Sequence, residues 1–244
     1  MPYRFAVCLS PCCALLLAAC STVPEPNLIE ISPADSVSRR QALEIAEAYR
    51  THVWRPTAAN VMHGKDAKGV EVHTPDVSLP ATVTTRPGWW RPGEVAIGFP
   101  YMWGGFDTPA SFDQKIADGR AAGDVYTEAK RAALDDAVSE SACGVDCSGY
   151  VSRCWRLDRS YSTRELPLLC EALPSYDGLK PGDILNLSNV HALLFVRFVD
   201  ADRTRFVAYE TGSPPTWKVL RHEISVAFVQ GLGYLPYRYR GMRD

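Results

Sequence analysis

Cys147 is the residue of this chain whose surroundings most favour chemistry. It lies in the segment 146–150 (Asp-Cys-Ser-Gly-Tyr), where a glycine-flanked loop gives way to an apolar stretch with helical spacing. A thiol reacts as its thiolate, and the partial positive charge at a helix N-terminus favours that anion. We expect Gly149, which has no Cβ, to leave the approach to the sulfur open. The sequence thus predicts a nucleophilic cysteine at a helix start, provided that a base lies elsewhere.

His191 is the candidate base. It opens the apolar run 190–196, which follows a Lys-Pro-Gly-Asp turn and reads as a buried strand. A second strand is predicted over 205–210, after a polar turn, so the two strands form a hairpin. Side chains alternate between the faces of a strand, and Glu210 can therefore lie beside His191 and orient its ring. This is the part that the third member of a Cys-His-polar triad plays.

Four segments, in this order, resemble the NlpC-type papain-like cysteine peptidases of bacterial cell walls. They are 101–105 (Tyr-Met-Trp-Gly-Gly), 146–150, 181–183 (Pro-Gly-Asp) and His191 at the start of its strand. The resemblance covers about Gly98 to the C-terminus. It implies an α+β papain-like domain in which a central antiparallel sheet, from about Ile184 to Tyr239, packs on the helix that carries the cysteine. An N-terminal helical and loop extension precedes that domain.

The resemblance also implies a role for each site residue. Cys147 attacks a peptide carbonyl, His191 takes and returns the proton, and Glu210 holds the imidazole. Tyr101 lines the site near the oxyanion, and Asp146 and Ser148 help to receive the amino group of the substrate. The implied activity is hydrolysis of an amide bond in peptidoglycan stem peptides, without a cofactor. A slightly different alignment puts Ala208, rather than Glu210, in the third position of the triad.

Two features leave room for other functions. In the family the Tyr-Gly-Gly segment stands close before the cysteine, whereas here an insertion at about 106–145 separates the two. The insertion holds helix-like stretches at 110–120 and 124–138, and we expect it to wall or cover the cleft. With the open question of the third residue, this permits two alternatives. One is a thiol amidase or acyltransferase of the same fold that acts on a non-wall substrate, and the other is a non-catalytic anchored binding or scaffold protein.

The first residues predict export. A short charged start and an apolar run over 1–19, too short to span a bilayer as a stable helix, read as a signal peptide. Its Leu-Ala-Ala-Cys ending resembles the lipobox of bacterial lipoproteins, which implies lipidation of Cys20 and anchoring to a membrane. Ser21 favours the outer membrane, facing the periplasm. The proline-containing stretch 20–34 is predicted to be a tether.

Composition excludes some partners. The whole chain carries a formal net charge of -2, and loss of Arg4 with the signal leaves -3. Nucleic-acid binding needs a basic face, so no nucleic-acid partner is expected. In an oxidising compartment a disulfide among Cys143, Cys154 and Cys170 is one expectation, although its connectivity is not readable from sequence. A zinc site is disfavoured because the close Cys-x-x-Cys pairing is missing, and we expect no metal.

The extension 35–97 is expected to support the peptidase-like region 98–244. Ser36 or Ser38 is predicted to cap a helix that runs to about His52 and packs on the catalytic domain. Short β-like pieces occur at 69–72 and 82–84. The pair Trp89-Trp90 can stack on sugars, but we favour packing at a core edge. Near the other end, His222 is predicted to lie at a strand edge.

Overall fold

The computed structural model describes residues 31–244. The predicted signal peptide 1–19, Cys20 and most of the predicted tether lie outside the described residues. The described chain combines helices and antiparallel sheet, so the α+β class predicted from the sequence is confirmed. None of the helices within 31–244 is long and apolar enough to cross a membrane.

The described residues form five α-helices and four short 3₁₀ segments. The helices are α1 (Arg39–Thr51), α2 (Pro109–Ala117), α3 (Glu128–Ala133), α4 (Cys147–Cys154) and α5 (Val226–Leu232). The 3₁₀ segments are Ala58–Asn60, Leu134–Ala137, Leu166–Leu169 and Tyr176–Gly178.

The same residues form fourteen strands, most of them short. They are β1 (Val37–Ser38), β2 (Val53–Trp54), β3 (His63–Lys65), β4 (Glu71–His73), β5 (Ala96–Ile97), β6 (Ala121–Ala122), β7 (Ala142–Cys143), β8 (Cys170–Ala172), β9 (Ile184–Leu187), β10 (His191–Phe198), β11 (Arg205–Thr211), β12 (Val219–Ser225), β13 (Leu235–Tyr239) and β14 (Met242–Arg243). Strands β1 and β14, β2 and β5, β3 and β4, and β6 and β7 form small two-stranded sheets.

Six strands form one antiparallel sheet in the order β12-β11-β10-β9-β13-β8. The predicted hairpin of β10 and β11 is confirmed, with Leu194 opposite Tyr209 and Phe195 opposite Ala208. The sheet begins earlier than predicted, because β8 adds a strand at its far edge. The strand predicted over 82–84 is wrong. Those residues form a turn, in which Val83 donates its backbone N–H to the carbonyl of Pro80.

The Pro-Gly-Asp turn fixes the entry to the sheet. Asp183 is fully buried, and its carboxylate accepts hydrogen bonds from Arg39 at 3.0 Å and from Arg238 at 2.7 Å. The backbone N–H of Gly182 bonds to the carbonyl of Phe195 on β10 at 2.9 Å. Since a buried carboxylate needs such partners, the turn joins α1 and β13 to the strand that His191 opens.

Helix α1 supports the helix that carries Cys147. Ser38, one of the two residues predicted to cap this helix, caps α1 in a capping box with Gln41. The buried Tyr49 donates its hydroxyl to the carbonyl of Asp107 at 2.7 Å, and Tyr150 of α4 donates to the carbonyl of Ala46 at 2.9 Å. These buried bonds fix the two helices against each other. The predicted packing of the N-terminal helix on the region around Cys147 is thus confirmed.

The tryptophan pair belongs to the core edge, as favoured from the sequence. Trp90 is only 2 % exposed and meets Trp54 edge-on, with ring centroids 5.6 Å apart. Trp89 is half-buried and donates its indole N–H to the carbonyl of Trp217 at 3.0 Å. Trp89 therefore joins the extension to the rest of the molecule, and Trp90 is part of the main hydrophobic core.

The insertion at 106–145 leaves and re-enters the fold at one place. Phe106 forms an antiparallel bridge with Val145, and the backbone N–H of Met102 bonds to the Val145 carbonyl at 3.0 Å. The helix predicted over 110–120 is confirmed as α2. Of the stretch 124–138 only the part from Glu128 onward is helical, as α3 and a 3₁₀ segment. The ends of the insertion meet, so it lengthens the chain without moving the two motif segments apart.

Gly149 has a different role from the one predicted. A Cβ at this position would lie 2.1 Å from the carbonyl oxygen of Gly105, which also accepts a hydrogen bond from the Asp146 backbone at 3.1 Å. The missing side chain therefore lets the segment 101–105 press on the first turn of α4. The expectation that Gly149 keeps the approach to the sulfur open is wrong, since this face is filled by Gly105.

The four described cysteines, at positions 143, 147, 154 and 170, are free and buried. The predicted disulfide among Cys143, Cys154 and Cys170 is therefore not formed. Burial raises the pKa of the Cys154 thiol, and it raises the pKa of Cys170 to about 12. These thiols fill the core and stay protonated near neutral pH.

The contact between Gly149 and Gly105 predicts a large cost for a single methyl group. We expect Gly149→Ala to lower the free energy of unfolding by about 3 kcal/mol, because the new Cβ overlaps a backbone oxygen that cannot move alone. Thermal and denaturant unfolding followed by circular dichroism measure this cost.

Gly231 in α5 is the matched control, since a Cβ there would meet nothing within 4 Å. Gly231→Ala should leave stability unchanged or raise it by up to about 1 kcal/mol, because alanine favours the helix. Equal stability of Gly149→Ala and the parent protein would contradict the assigned contact.

Candidate active site

Cys147 is the first residue of α4, as the sequence predicts. Asp146 is the N-cap, and its carboxylate accepts the backbone N–H of Gly149 at 2.6 Å and the hydroxyl of Ser148 at 3.0 Å. Among the hydrogen bonds of residues 31–244, none uses the backbone N–H of Cys147. The thiol is thus placed at the positive end of a helix, beside a free backbone donor.

His191 and Glu210 lie on the neighbouring strands β10 and β11, and the structure brings both to Cys147. The Nε2 atom of His191 is 2.6 Å from Oε2 of Glu210. His191 and Cys147 line the same cleft, and the charge of Cys147 raises the pKa of the imidazole. The alternative third residue, Ala208, is buried among apolar side chains of the sheet and does not take this place. The three predicted residues therefore meet at one site, in which His191 is hydrogen-bonded to Glu210.

The charges of His191 and Glu210 stabilise each other. Burial lowers the pKa of His191, but the charge of Cys147, together with the hydrogen bond to Glu210 and its charge, outweighs this effect and raises the pKa to about 10. Burial also opposes the charge of Glu210, yet hydrogen bonds from His191 and His222 hold the pKa of that carboxyl well below its usual range. Near neutral pH the site thus contains an imidazolium next to a carboxylate.

Two further residues hold Glu210, and sequence reasoning missed both. His222 donates from Nε2 to Oε1 of Glu210, the oxygen that His191 does not use, and Ser213 donates its hydroxyl to Oε2. His222 lies in the middle of β12, the outer strand of the sheet, and not at the edge of a strand as predicted; it stands directly opposite Ala208. Because the side chains of Ala208 and Glu210 share a face of β11, the residue opposite Ala208 points to the same face as Glu210. Strand alternation was therefore the signal that could have found the contact between His222 and Glu210.

Tyr101 lines the same cleft and packs against the loop after β11. Gly212 has φ +86°, and a Cβ there would lie 2.5 Å from the Tyr101 ring, so only glycine fits. Burial raises the pKa of the Tyr101 phenol well above its usual value, and the charges of Cys147 and Asp146 raise it further. The hydroxyl therefore remains a hydrogen-bond donor at any pH relevant to activity.

Asp146 and Ser148 border the cleft, where the sequence places them. Their polar atoms are engaged with each other and with the cap of α4. Burial raises the pKa of Asp146, although the hydrogen bonds from Gly149 and Ser148 oppose this. In this arrangement their first effect is to fix the turn that presents Cys147.

The cleft above these residues has a volume of about 460 Å³, within the usual range of ligand sites. The insertion supplies one wall through Tyr126, Arg131 and Leu134. Lys130 anchors that wall, since its buried ammonium group bonds to the buried carboxylate of Asp124 at 2.7 Å. The expectation that the insertion walls the cleft is confirmed.

Comparison of the chain with protein-family models, with curated proteins and with solved structures found no match. Among residues 31–244, no cluster of three or more histidine, cysteine, aspartate or glutamate side chains is arranged to hold a metal ion.

The hydrogen bond between Glu210 and His191 predicts a pH effect. Any turnover should persist to about pH 10 and fall above it, because the imidazolium that protonates the leaving group loses its proton. In Glu210→Gln the raising effect of the carboxylate is lost. The alkaline limb should then move down by about one to two pH units, and turnover should fall at least about tenfold. Rate against pH, measured on both proteins, checks this.

His222 provides the comparison for this experiment. His222→Gln keeps an N–H that can donate to Glu210 and should retain most of the turnover, whereas His222→Phe should lower kcat several-fold without changing KM. An alkaline limb in Glu210→Gln that coincides with that of the parent protein would exclude Glu210 as the group that raises the pKa of His191.

Proposed function

We propose that this protein is a cysteine amidase of the papain-like type that hydrolyses an amide bond in peptidoglycan stem peptides. The observation that carries the proposal is that Cys147, at the start of α4, lines one cleft with His191, whose imidazole is hydrogen-bonded to Glu210. Amide hydrolysis needs a strong nucleophile, a proton shuttle and donors for an oxyanion, and this site offers all three.

The acylation step uses the ion pair of Cys147 and His191. The thiolate sulfur attacks the amide carbonyl carbon, and the carbonyl oxygen gains the negative charge. The backbone N–H of Cys147 and the phenol of Tyr101 are the two donors available to that oxyanion. His191 then transfers its proton to the nitrogen of the leaving amine, the C–N bond breaks and a thioester remains on Cys147.

Deacylation reverses the proton's path. His191, now neutral, takes a proton from water while the water oxygen attacks the thioester carbonyl. The C–S bond breaks, the acid product leaves, and the thiolate and imidazolium are restored. Glu210 keeps the imidazole in place and stabilises its charge in both steps, while His222 and Ser213 fix Glu210.

The wall peptide as substrate and the papain-like fold rest on the four segments that resemble the NlpC-type peptidases. The order of elements supports this resemblance, since α4 with the cysteine is followed by β10 with the histidine and β11 with the acid. The proposal includes export and anchoring through lipid on Cys20, with the domain facing the periplasm. That location gives the enzyme access to peptidoglycan.

Digestion of purified peptidoglycan tests the activity. We expect the full chain in detergent to release peptide fragments, whose masses identify the bond that is cut. The variant Cys147→Ala should release at least about a hundredfold less, because the nucleophile is gone. Circular dichroism of both proteins verifies that the fold is retained.

The remaining outcomes separate the alternatives. Absence of fragments, together with turnover of small amides or acyl esters, would replace the wall hydrolase by a thiol amidase or acyltransferase. Absence of any turnover, with slow alkylation of Cys147 below the usual cysteine pKa of about 8.5, would favour a non-catalytic binding protein.

Labelling of cells with a radioactive fatty acid tests the anchor. We expect the full-length protein to carry the label and to sediment with the membranes, and Cys20→Ala to lose both properties, because several acyl chains give firm anchoring. An unlabelled parent protein would refute lipidation while leaving the proposed chemistry untouched.

A further inference from the structure

We propose that Arg86 forms a carboxylate-binding subsite beside the nucleophile, so that the substrate carries a carboxylate next to the amide that is cut. This rests on the proposed amidase function and deepens it. Arg86 belongs to the extension 35–97, outside the segments that resemble a known family, and its side chain lines the cleft that also contains Cys147 and His191.

The guanidinium of Arg86 is held at the cleft by two contacts. One N–H donates to the carbonyl of Gly212, and the group stacks over the Trp217 ring with its central carbon 3.7 Å from the ring centroid. Gly212 follows β11 directly and precedes Ser213, which contacts both His191 and Glu210. The cation is therefore fixed beside the loop that completes the catalytic hydrogen bonds.

The loop that carries Arg86 is itself anchored. The backbone N–H of Arg86 bonds to the hydroxyl of Thr84 at 3.2 Å, and the backbone N–H of Trp89 bonds to the carbonyl of Pro75 at 2.8 Å. Gly88 packs so closely on the carbonyl of Asp76 that a Cβ would lie 1.6 Å from its oxygen. Because the loop backbone and the guanidinium are both held in place, Arg86 is preorganised for a ligand.

Donors near Arg86 lack acceptors. Within residues 31–244 the Arg86 guanidinium makes one hydrogen bond, to the carbonyl of Gly212, and no carboxylate there pairs with it. The indole N–H of Trp217, the ring beneath Arg86, is buried and has no hydrogen-bond partner among the described residues. Burial lowers the pKa of Arg86, and only the charges of Tyr101 and Glu210 oppose this. An anion bound here would compensate the half-buried cation.

Guanidinium groups outnumber carboxyl groups in the lining of the cleft. Its lining includes two more guanidinium groups, Arg131 and Arg164, neither of which forms an ion pair within residues 31–244, and two carboxyl groups, Asp135 and Asp146. Asp146 is occupied in the cap of α4. A planar guanidinium fork matches a carboxylate in two parallel hydrogen bonds, which makes a peptide carboxylate the fitting ligand.

Alkylation of Cys147 tests the subsite without any substrate. Iodoacetate carries a carboxylate, whereas iodoacetamide is neutral and nearly the same size. The ratio of their rates near neutral pH cancels differences in thiol reactivity between variants. Mass spectrometry of the peptide that contains Cys147 follows the reaction on the full chain in detergent. In Arg86→Gln we expect the ratio of iodoacetate to iodoacetamide to fall about three- to tenfold.

Three further variants make the outcome decisive. Arg86→Lys should keep most of the ratio because it keeps the charge, and Arg86→Met should lose it while its aliphatic side chain still covers Trp217. Arg91→Gln, at an exposed arginine of the same extension, should leave the ratio unchanged. A ratio that stays the same in Arg86→Gln and Arg86→Met would overturn the proposal, as would an equal fall in Arg91→Gln.

Soluble wall peptides then connect the subsite to the substrate. With free carboxylates, Arg86→Gln should raise KM about tenfold; after conversion of those groups to carboxamides, parent protein and variant should have the same KM. Failure to cut any wall peptide, with the alkylation ratio lost, would reject the proposed substrate and keep the anion subsite. Cleavage with an unaltered ratio and KM would keep the hydrolase and reject the role of Arg86.

Discussion

The contact on which the site depends is the one between the carbonyl of Gly105 and the first turn of α4. That oxygen accepts the backbone N–H of Asp146 and lies where a Cβ of Gly149 would be. Because no side chain intervenes, the segment with Tyr101 and the helix start with Cys147 form a single rigid corner. The phenol, the thiol and the free backbone N–H of Cys147 thus border the same cleft, although about forty residues of sequence separate the two segments.

The second constraint is electrostatic. Glu210 is nearly fully buried, and a carboxylate in such a place is stable only with several donors around it. His191 and Ser213 bind one of its oxygens and His222 the other. The charge of Cys147 raises the pKa of His191, and the hydrogen bond from His191 that helps to stabilise the Glu210 carboxylate raises it further, so this one bond links the burial of Glu210 to the protonation of the proposed base.

Sequence reasoning identified what depends on local pattern and missed what depends on packing. Cys147 at a helix start, His191 at a strand start and Glu210 on the next strand follow from turns and from the period of two. Ser38 as a cap follows from local chemistry in the same way. His222 escaped, because its contact with Glu210 crosses from β12 to β11, and strand pairing is a long-range choice. The role of Gly149 was wrong for a similar reason, since its neighbour Gly105 is distant in sequence.

The chemistry and the selectivity of the cleft have separate origins in the chain. The thiol, imidazole and carboxylate come from α4, β10 and β11, which the resemblance covers. The side chains that shape access come from elsewhere: Arg86 from the extension, and Tyr126 and Arg131 from the insertion. Both of these segments return to the core, the insertion through Phe106 and Val145 and the extension through Trp89 and Trp90, so neither disturbs the corner at Gly105. A fold built in this way can change which ligand the cleft accepts by altering those two segments while the hydrogen bonds around His191 and Glu210 remain unchanged.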